Sequence, residues 1–547
     1  MTLLACLASN AIAVPLAPSF PAAELRYILN HSAASLLLST PKFAALATEV
    51  LSADDLETPP TYLEIPKTLE GAAFAESRDD DFTDPVVLEG DEHHAEGGMM
   101  LYTSGTTARP KGVLLPTLTL AAQARSLIEA WQYTPKDRLL HVLPLHHIHG
   151  TVNALLTPLL AGGTIEFLFP FNVEKVWERF ASPFLAADPD EHQPLPPPPP
   201  GAKVPINFFT VVPTVWARLL ATHSALPPRL NKASSIAITR QYLRLNISGS
   251  AALPTPTKKA WNELSDGNVL LERFGMTEVG MALSCGLHDS DRMDGSVGWP
   301  LPGVEARLVD PDTHAVIPPP PSSSSSSPEE KEISGEIQLR GPTIFKSYWR
   351  NPEATAKEFI PDGWFKTGDI AIRKHLPPPT GTGLSGAWAT GPAFFIHGRA
   401  SADIIKTGGE KVSALEIERE ILSLPQIAEA AVVGLPSETW GQKVAVVVVL
   451  SDLGKTAGKG GKAWGVMDLR RALKGVLVAY KIPQDMKVVE AIPRNAMGKV
   501  NKKSLVPLVF GDQERIRRRS VLTAEEKALE KVRGEAEAKK AREGEGK

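Results

Sequence analysis

Short apolar runs alternate with amphipathic stretches along most of the chain. The runs Asn207–Val212, Leu243–Ile247 and Val444–Leu450 are apolar and rich in strand-forming residues, so they predict buried strands. The stretches Ala414–Leu424 and Val466–Leu477 repeat their apolar residues with a helical period and predict helices. Because the two kinds of element alternate, we expect an α/β fold with parallel sheets covered by helices.

Two low-complexity segments interrupt this pattern. One lies near 186–201 and carries a proline tract, and the other lies near 318–331 and reads PPPPSSSSSSP before a charged stretch. Neither can bury a core, so both are expected to be surface insertions or linkers. A third stretch, His375–Pro392, is rich in Pro, Gly and Thr and predicts irregular structure.

Composition and charge exclude several classes of protein. The chain has 547 residues with 43% hydrophobic and 22% charged side chains, values of a globular protein of two or three domains. The net charge is −4, so nucleic-acid binding through a general basic field is not expected. Two cysteines, Cys6 and Cys285, can form neither a disulfide framework nor a zinc cluster.

The N-terminal stretch is apolar without the features of a secretory signal. Its first basic residue is Arg26, and Pro15 and Pro18 interrupt the apolar run. We therefore interpret Met1–Pro18 as an interior helix-to-strand segment. No uninterrupted apolar run in the sequence reaches membrane-spanning length.

A loop dense in hydroxyl groups and glycines follows the apolar run Met99–Tyr102. Residues 103–112 read TSGTTARPKG, and such a loop can offer backbone N–H groups, hydroxyls and one ammonium group to an anion. It is not a Walker A loop, because Pro110 precedes the lysine and Gly112 follows it. The alternative is an ordinary polar surface loop. The candidate anion-binding residues are Thr103, Ser104, Gly105, Thr106, Thr107 and Lys111.

Three histidines lie within the string LPLHHIHG at Leu143–Gly150. They suggest a metal site, but ligands must converge, and adjacent residues on a strand point apart. A metal site is therefore not expected here. The stretch Thr151–Leu156 behind them predicts a helix beside a pocket or simply in the core.

Several strings together resemble the adenylate-forming, AMP-binding superfamily of acyl-CoA synthetases, nonribosomal adenylation domains and luciferases. They are YTSGTTxxPKG at 102–112, ERFGMTE at 272–278, DGWFKTGD at 362–369, GRASAD at 398–403, KTGGEKVS at 406–413 and PRNAMGKV at 493–500. The resemblance implies a large domain of α/β subdomains over 1–398, a small mobile α+β domain over 399–511, and a charged helical or disordered tail over 512–547. Ala108 stands where the family usually has Gly, and Ser401 stands at the hinge position, where Asp or Lys is commoner.

The resemblance also implies a site and its cofactors, which are ATP, Mg²⁺ and coenzyme A. For the reacting groups it implies Lys499 as the catalytic lysine, Thr277 at the α-phosphate and Glu278 on Mg²⁺. For the nucleotide and coenzyme A it implies Ser250, Phe274, Asp369, Arg399, Gly408, Gly409 and Lys411. An acid–thiol ligase would join a carboxylate to AMP, rotate its small domain about Ser401, and transfer the acyl group to the thiol of coenzyme A.

The acid implied is small and carries a second charge. Arg292 lies just before the string GWPLPGV, where malonyl-CoA synthetases are expected to bind the distal carboxylate, and a guanidinium suits that task. His147 and Ser284 could complete the carboxylate site. Malonate or methylmalonate is therefore the leading substrate and a medium-chain fatty acid the alternative. A surface ion pair of Arg292 with Asp291 or Asp294 is the other interpretation of this arginine.

The resemblance begins near Ala11, in a segment that the family has well inside its large domain. The chain is therefore expected to lack the usual first portion, which leaves open a non-catalytic relative that binds nucleotide. Transfer to a carrier protein is a third possibility. The compartment stays open between mitochondrion and cytoplasm.

Overall fold

The computed structural model describes residues 2–65, 97–103, 109–185, 203–320, 333–494 and 500–511. Contacts divide the chain into two compact units between His397 and Gly398. The predicted insertion at 186–201, residues 321–331 of the second insertion and the tail 512–547 lie outside the described residues.

The larger unit contains the following elements. Its strands are β1 (Ile12–Ala13), β2 (Leu36–Ser39), β3 (Thr61–Glu64), β4 (Gly98–Thr103), β5 (Lys111–Pro116), β6 (Arg138–His141), β7 (Thr164–Phe167), β8 (Phe208–Val211), β9 (Leu245–Ser248), β10 (Leu271–Met276), β11 (Gly280–Ser284), β12 (Ser296–Pro300), β13 (Glu305–Val309), β14 (Val316–Ile317), β15 (Gly335–Arg340), β16 (Ser347–Tyr348), β17 (Phe365–Lys374) and β18 (Ala393–Arg399). Its helices are α1 (Thr2–Ala8), α2 (Ala22–Ser32), α3 (Ala44–Leu51), α4 (Thr117–Trp131), α5 (Thr157–Leu160), α6 (Val173–Ala181), α7 (Pro213–His223), α8 (Pro228–Ala237), α9 (Thr255–Leu264) and α10 (Pro352–Glu358), with a π-helix at His149–Leu156 and 3-10 turns at Pro41–Phe43 and Asp289–Asp291.

A mixed sheet of twelve strands carries the core of this unit. Its order is β14-β13-β15-β17-β18-β12-β11-β10-β9-β8-β6-β7, and β10, β9, β8, β6 and β7 pair in parallel. All four residues of β8 are buried, as expected for a parallel strand covered on both faces. Trp216 and Trp261, from two covering helices, pack with ring centroids 4.5 Å apart. The carboxyl ends of β6, β8, β9 and β10 therefore meet at one edge, where open α/β sheets bind ligands.

A four-stranded sheet of order β1-β4-β5-β16 holds the predicted phosphate loop. Strands β4 and β5 form an antiparallel hairpin in which Thr103 lies opposite Lys111. The parallel pair β2–β3 forms a separate small sheet.

The smaller unit is built around one hydrophobic strand. Its elements are β19 (Ile404–Thr407), β20 (Glu410–Ser413), α11 (Ala414–Leu422), β21 (Ile427–Ser437), β22 (Gly441–Leu450), α12 (Val466–Leu473), a 3-10 turn at Ala479–Lys481 and β23 (Asp485–Val488), and residues 502–511 are helical. In β22 alternate residues enter two different cores: Val444, Val446 and Val448 pack with Ile417 of α11, while Ala445 and Val447 pack with Leu505 and Phe510. Burial on both faces explains why the strand is a continuous apolar run rather than an alternating one.

The fold confirms the α/β prediction, and the predicted strands and helices lie within a few residues of the observed ones. The expectation of parallel sheets is wrong: the large sheets are mixed, because short hairpin connections such as the β10–β11 turn add antiparallel strands. The N-terminal segment forms a helix, α1, followed by a strand, β1, as its sequence predicts. The stretch 375–392 is irregular, and its Ser385 hydroxyl and Gly381 N–H both donate to the carboxylate of Asp291, at 2.6 and 3.0 Å. Within the described ranges, no helix is long and apolar enough to span a membrane.

The histidine string departs from the expected strand geometry. Strand β6 ends at His141, so His146 and His147 lie in a turn, with their rings 4.1 Å apart, and His149 begins the π-helix. The described part of the chain contains no group of three His, Cys, Asp or Glu side chains that could hold a metal ion.

Candidate active site

The loop after β9 is tied to the end of β8 by His149. The Oγ of Ser250 lies 3.3 Å from Nδ1 of His149, whose Nε2 lies 2.7 Å from Oγ1 of Thr210 on β8. Ser250 has a φ of 70°, in the left-handed region, so this loop turns sharply at the edge of the sheet. The sequence pattern identifies His149 only as a metal candidate. In the structure its ring contacts both Ser250 and Thr210 and so fixes this turn.

Arg273 is a buried cation at the same edge. A Cβ atom on Gly249 would collide with its guanidinium, so the glycine is what allows the side chain to lie against the loop. Arg273 is 4% exposed, and its Nε and Nη2 atoms have no hydrogen-bond partner within the described residues. Burial lowers the pKa of Arg273 to about 9. A buried guanidinium without an acidic partner is costly, and a bound anion would offset that cost.

Sequence reasoning did not identify Arg273 as a functional residue. The available signal was its charge at an inner position of the strand Leu271–Met276, because a charged residue within a buried strand requires a partner. Ser284, which was predicted to bind substrate, pairs with Arg273 across β10 and β11. Its Oγ donates to the carbonyl of Cys285 at 2.7 Å and accepts from Nε1 of Trp131 at 3.0 Å.

The structure does not bring Arg292 to this edge. Its guanidinium donates to the carbonyl oxygens of Gly286, Leu287 and Val269 at 3.3, 2.8 and 2.6 Å, and to Oδ1 of Asn246 at 3.2 Å. Four of its five N–H groups are thus used by the protein. Val269 precedes β10 and lies four residues before Arg273, about 13 Å of extended chain away.

The alternative surface ion pair of Arg292 is not formed either. Arg292 is 5% exposed, and burial lowers its pKa to about 10. Asp291 accepts from the 375–392 stretch, and Asp294 accepts from Thr255 at 2.6 Å. Arg292 therefore joins backbone segments near the amino end of β10.

Lys111 and Glu278 lie on two sides of one tyrosine. The Oη of Tyr348 donates to Oε1 of Glu278 at 2.9 Å, and Nζ of Lys111 lies 4.5 Å from the centroid of the Tyr348 ring. Glu278 is buried, and a carboxylate oxygen is the ligand type that Mg²⁺ prefers. Tyr348 is a second residue that no sequence motif identifies.

The base of the phosphate-loop hairpin is held by α2. The Oη of Tyr27 donates to the carbonyl of Pro110 at 2.9 Å, and Oη of Tyr102 lies 2.8 Å from Nδ1 of His31. A cavity of about 320 Å³ lies beside this base, lined by Tyr27, His31, Arg109, Pro110, Lys111, Trp349 and Asn351. The loop residues Ser104, Gly105, Thr106 and Thr107 lie outside the described residues.

The other predicted residues of the larger unit follow the same sheet. Phe274 pairs with Leu283 just before a register irregularity, and Thr277 lies in the turn between β10 and β11. His147 lies in the turn after β6, and Asp369 is buried on β17. His147, Phe274 and Thr277 thus lie near the carboxyl edge by topology.

The smaller unit carries the remaining predicted residues. Gly408 and Gly409 form the β19–β20 turn with φ values of 58° and 87°, and a Cβ on Gly408 would lie 2.8 Å from the ring of Trp440. Lys411 lies on β20. Arg399 is the last residue of β18, which extends past the boundary after His397; it is exposed, and its N–H donates to Asp403. Lys499 lies outside the described residues.

Comparisons with known proteins agree with these motifs. Residues 1–182 and 201–349 match the model of the AMP-binding enzymes, and residues 416–499 match the AMP-binding enzyme C-terminal domain. A CoA ligase of Gibberella moniliformis is 58% identical, over 95% of this chain and 85% of that protein. The malonate–CoA ligase ACSF3, mitochondrial, of Bos taurus is 39% identical, over 92% of this chain and 78% of that protein. The crystal structure of ATP-bound MatB from Rhodopseudomonas palustris is 30% identical with a TM-score of 0.67, over 92% of this chain and 84% of that chain.

Proposed function

Because the chain belongs to the AMP-binding enzyme family, we propose that it activates malonate or methylmalonate to the acyl-CoA by way of acyl-AMP. The chain is an acid–thiol ligase that uses ATP, Mg²⁺ and coenzyme A. The observation that carries the choice of a dicarboxylate is Arg273, a buried guanidinium at the carboxyl edge whose Nε and Nη2 have no hydrogen-bond partner among the residues that the structure describes.

Arg273 is a better candidate than Arg292 for the distal carboxylate. Both are buried, but four of the five N–H groups of Arg292 donate to protein oxygens, whereas Nε and Nη2 of Arg273 have no hydrogen-bond partner in the described part of the chain. A carboxylate accepts two parallel N–H bonds from a guanidinium, which is the strong, directional form of this interaction. The malonate named for the bovine relative has a carboxylate that such a group would bind. A fatty acid would leave the charge of Arg273 unpaired.

The proposed reaction has two steps. A carboxylate oxygen of the acid attacks the α-phosphorus of ATP, the bond to the bridging oxygen of the β-phosphate breaks, and pyrophosphate leaves. The sulfur of coenzyme A then attacks the acyl carbon, the bond to the AMP oxygen breaks, AMP leaves, and the thiol proton passes to solvent. Neither step forms a bond to the protein, so the side chains position reactants and offset charge.

We assign roles to the predicted residues within this reaction. Lys499 would contact the attacking carboxylate and the α-phosphate, with Thr277 beside it. Glu278 would hold Mg²⁺, which when bound offsets the negative charge of the polyphosphate. Gly408 and Gly409 leave room for the pantetheine arm of coenzyme A, since neither has a side chain. Rotation of the small unit about Ser401 would separate the two steps.

Pyrophosphate release with a panel of acids tests the function. We expect release with malonate and methylmalonate to exceed release with acetate and octanoate, and thioester to form only when coenzyme A is added. Faster release with octanoate would favour the medium-chain alternative. Release from none of the acids would favour a non-catalytic nucleotide-binding relative, and release without consumption of coenzyme A would favour transfer to a carrier protein.

Tyr348→Phe is expected to weaken Mg²⁺ binding about tenfold, because an outer partner that orients a metal-binding carboxylate typically has this effect on affinity. The variant removes the hydroxyl that donates to Glu278 and keeps the ring beside Lys111. The measurement is the Mg²⁺ concentration that gives half-maximal pyrophosphate release. Tyr62→Phe, which loses a hydroxyl contact with Ser39, is the matched control. If both variants required the same Mg²⁺ concentration for half-maximal release, Tyr348 would have no role in Mg²⁺ binding.

We also propose a mitochondrial location. The bovine relative is named as mitochondrial, which supports that compartment over the cytoplasm. Cell fractionation with detection of the endogenous protein tests this, and recovery in the cytosolic fraction would refute it.

A further inference from the structure

A buried cluster of three charges holds the smaller unit together near its catalytic segment. The ammonium group of Lys502 lies 2.6 Å from Oδ1 of Asp403 and 2.7 Å from Oε1 of Glu418. The three side chains are only 10–14% exposed. Both contacts are charge-assisted hydrogen bonds of short length, the strong kind in proteins.

The cluster joins three separate segments of the chain. Asp403 ends the Gly398–Asp403 turn, whose first two residues also end β18, and its Oδ2 accepts from the N–H of Arg399 at 2.9 Å. Glu418 lies on α11, and its Oε1 also accepts from the N–H of Val432 on β21 at 2.7 Å. Lys502 begins the helical residues 502–511. Each carboxylate is thus fixed by a backbone N–H as well as by the lysine.

The charges of the cluster depend on one another. Burial raises the pKa of Glu418, an effect that the charge of Lys502 opposes. Burial by itself would lower the pKa of Lys502, but attraction by Glu418 and Asp403 outweighs it, and the pKa is raised. The lysine is therefore charged at neutral pH, and without it two carboxylates would be buried side by side.

Lys502 is close along the chain to the proposed catalytic lysine. Lys502 lies three positions after Lys499, and three residues of extended chain reach at most about 11 Å. A fixed ammonium at Lys502 therefore limits where Lys499 can go relative to the Gly398–Asp403 turn. That turn contains Ser401, the proposed point of rotation.

We propose that Lys502 is a positioning residue for adenylation: its contacts with Asp403 and Glu418 fix the segment that delivers Lys499 to the reacting carboxylate and phosphate. The inference rests on the proposed function. It predicts a role in the first half-reaction only, because the transfer to coenzyme A does not use Lys499.

Lys502→Ala is expected to slow pyrophosphate release by about 30-fold, since small misplacement of a reacting group costs up to about 100-fold. Thioester formation from supplied acyl-AMP should stay within about threefold of wild type. Lys503→Ala, which removes the exposed neighbouring lysine, is the matched control and should leave both rates unchanged. Lys502→Arg should recover most of the lost rate, because it restores the charge between the two carboxylates.

A double variant separates positioning from stability. If Lys502 acts through Lys499, then Lys499→Ala combined with Lys502→Ala should release pyrophosphate no more slowly than Lys499→Ala alone, since effects on one group are not additive. Should Lys502→Ala fail to fold, Lys502→Met combined with Glu418→Gln removes the ammonium while leaving one buried carboxylate, and the same loss is expected.

Three results would overturn the inference. They are equal losses in both half-reactions for a folded variant, an additional loss in the double variant, and an unchanged rate of pyrophosphate release. A wild-type enzyme that releases no pyrophosphate with any acid would instead refute the proposed function, and this inference with it. If the wild type releases pyrophosphate and Lys502→Ala releases it at the same rate, only the positioning role of Lys502 is refuted.

Discussion

Lys499→Ala is expected to slow acyl-AMP formation by about 1,000-fold, the upper range for loss of one group that stabilises developing charge. The negative charges of the carboxylate and the phosphate must approach each other in this step, and a lysine between them offsets their repulsion. The alanine variant keeps the backbone and removes the ammonium. The measurement is the rate of pyrophosphate release at saturating malonate and ATP.

The second half-reaction supplies the control. Acyl-AMP provided to the Lys499→Ala variant should be converted to the thioester at nearly the wild-type rate, because attack of the thiol requires no further cation at the phosphate. Lys503→Ala should match wild type in both assays. Equal failure of both half-reactions in the Lys499→Ala variant would contradict the two separate arrangements of the small unit on which the proposed mechanism depends.

The fold was predictable where a segment's own residues decide its structure. Strand β22 carries a run of valines that is typical of a buried strand and of neither a helix nor a loop. Ser413 is the N-cap of α11, and its Oγ accepts from the N–H of Glu416. The order of the twelve strands was not predictable in the same way. It depends on which buried faces meet, and those contacts join residues far apart in the sequence.

Within the candidate site, the sequence predicts which residues lie close together where those residues share one string. The β4–β5 hairpin places Thr103 opposite Lys111, eight positions later in the chain. Phe274 and Glu278 are four positions apart, on β10 and in the turn that follows it. Tyr348 is not identifiable in this way, because its contact with Glu278 joins residues seventy positions apart. Arg292 illustrates the converse: its charge suggested a ligand, but its environment, four protein oxygens, follows from the tertiary fold.

Arg273→Met is expected to lower kcat/KM for malonate by about 1,000-fold, mainly through KM. Leaving a buried carboxylate without its charged partner costs about 2–5 kcal/mol, and tenfold in affinity is about 1.4 kcal/mol. Methionine preserves much of the length of the side chain and removes only the charge and the donors. Propionate, which has a methyl group in place of the distal carboxylate, should lose less than tenfold. The measurement is the kcat and KM of pyrophosphate release with each acid.

Arg292→Met is the matched variant, and stability separates the two arginines. Removing Arg292 leaves four acceptors without their donor. They are the carbonyl oxygens of Gly286, Leu287 and Val269 and the side-chain oxygen of Asn246. The free energy of unfolding should therefore fall by about 3 kcal/mol or more. Any loss of activity should then be the same for malonate and propionate. Removing Arg273 eliminates a buried charge that has no acidic partner within the described residues, so the unliganded protein should be as stable as wild type or more stable. If Arg292→Met lowered kcat/KM for malonate but not for propionate, and Arg273→Met lowered neither, Arg292 rather than Arg273 would be the residue that binds the distal carboxylate.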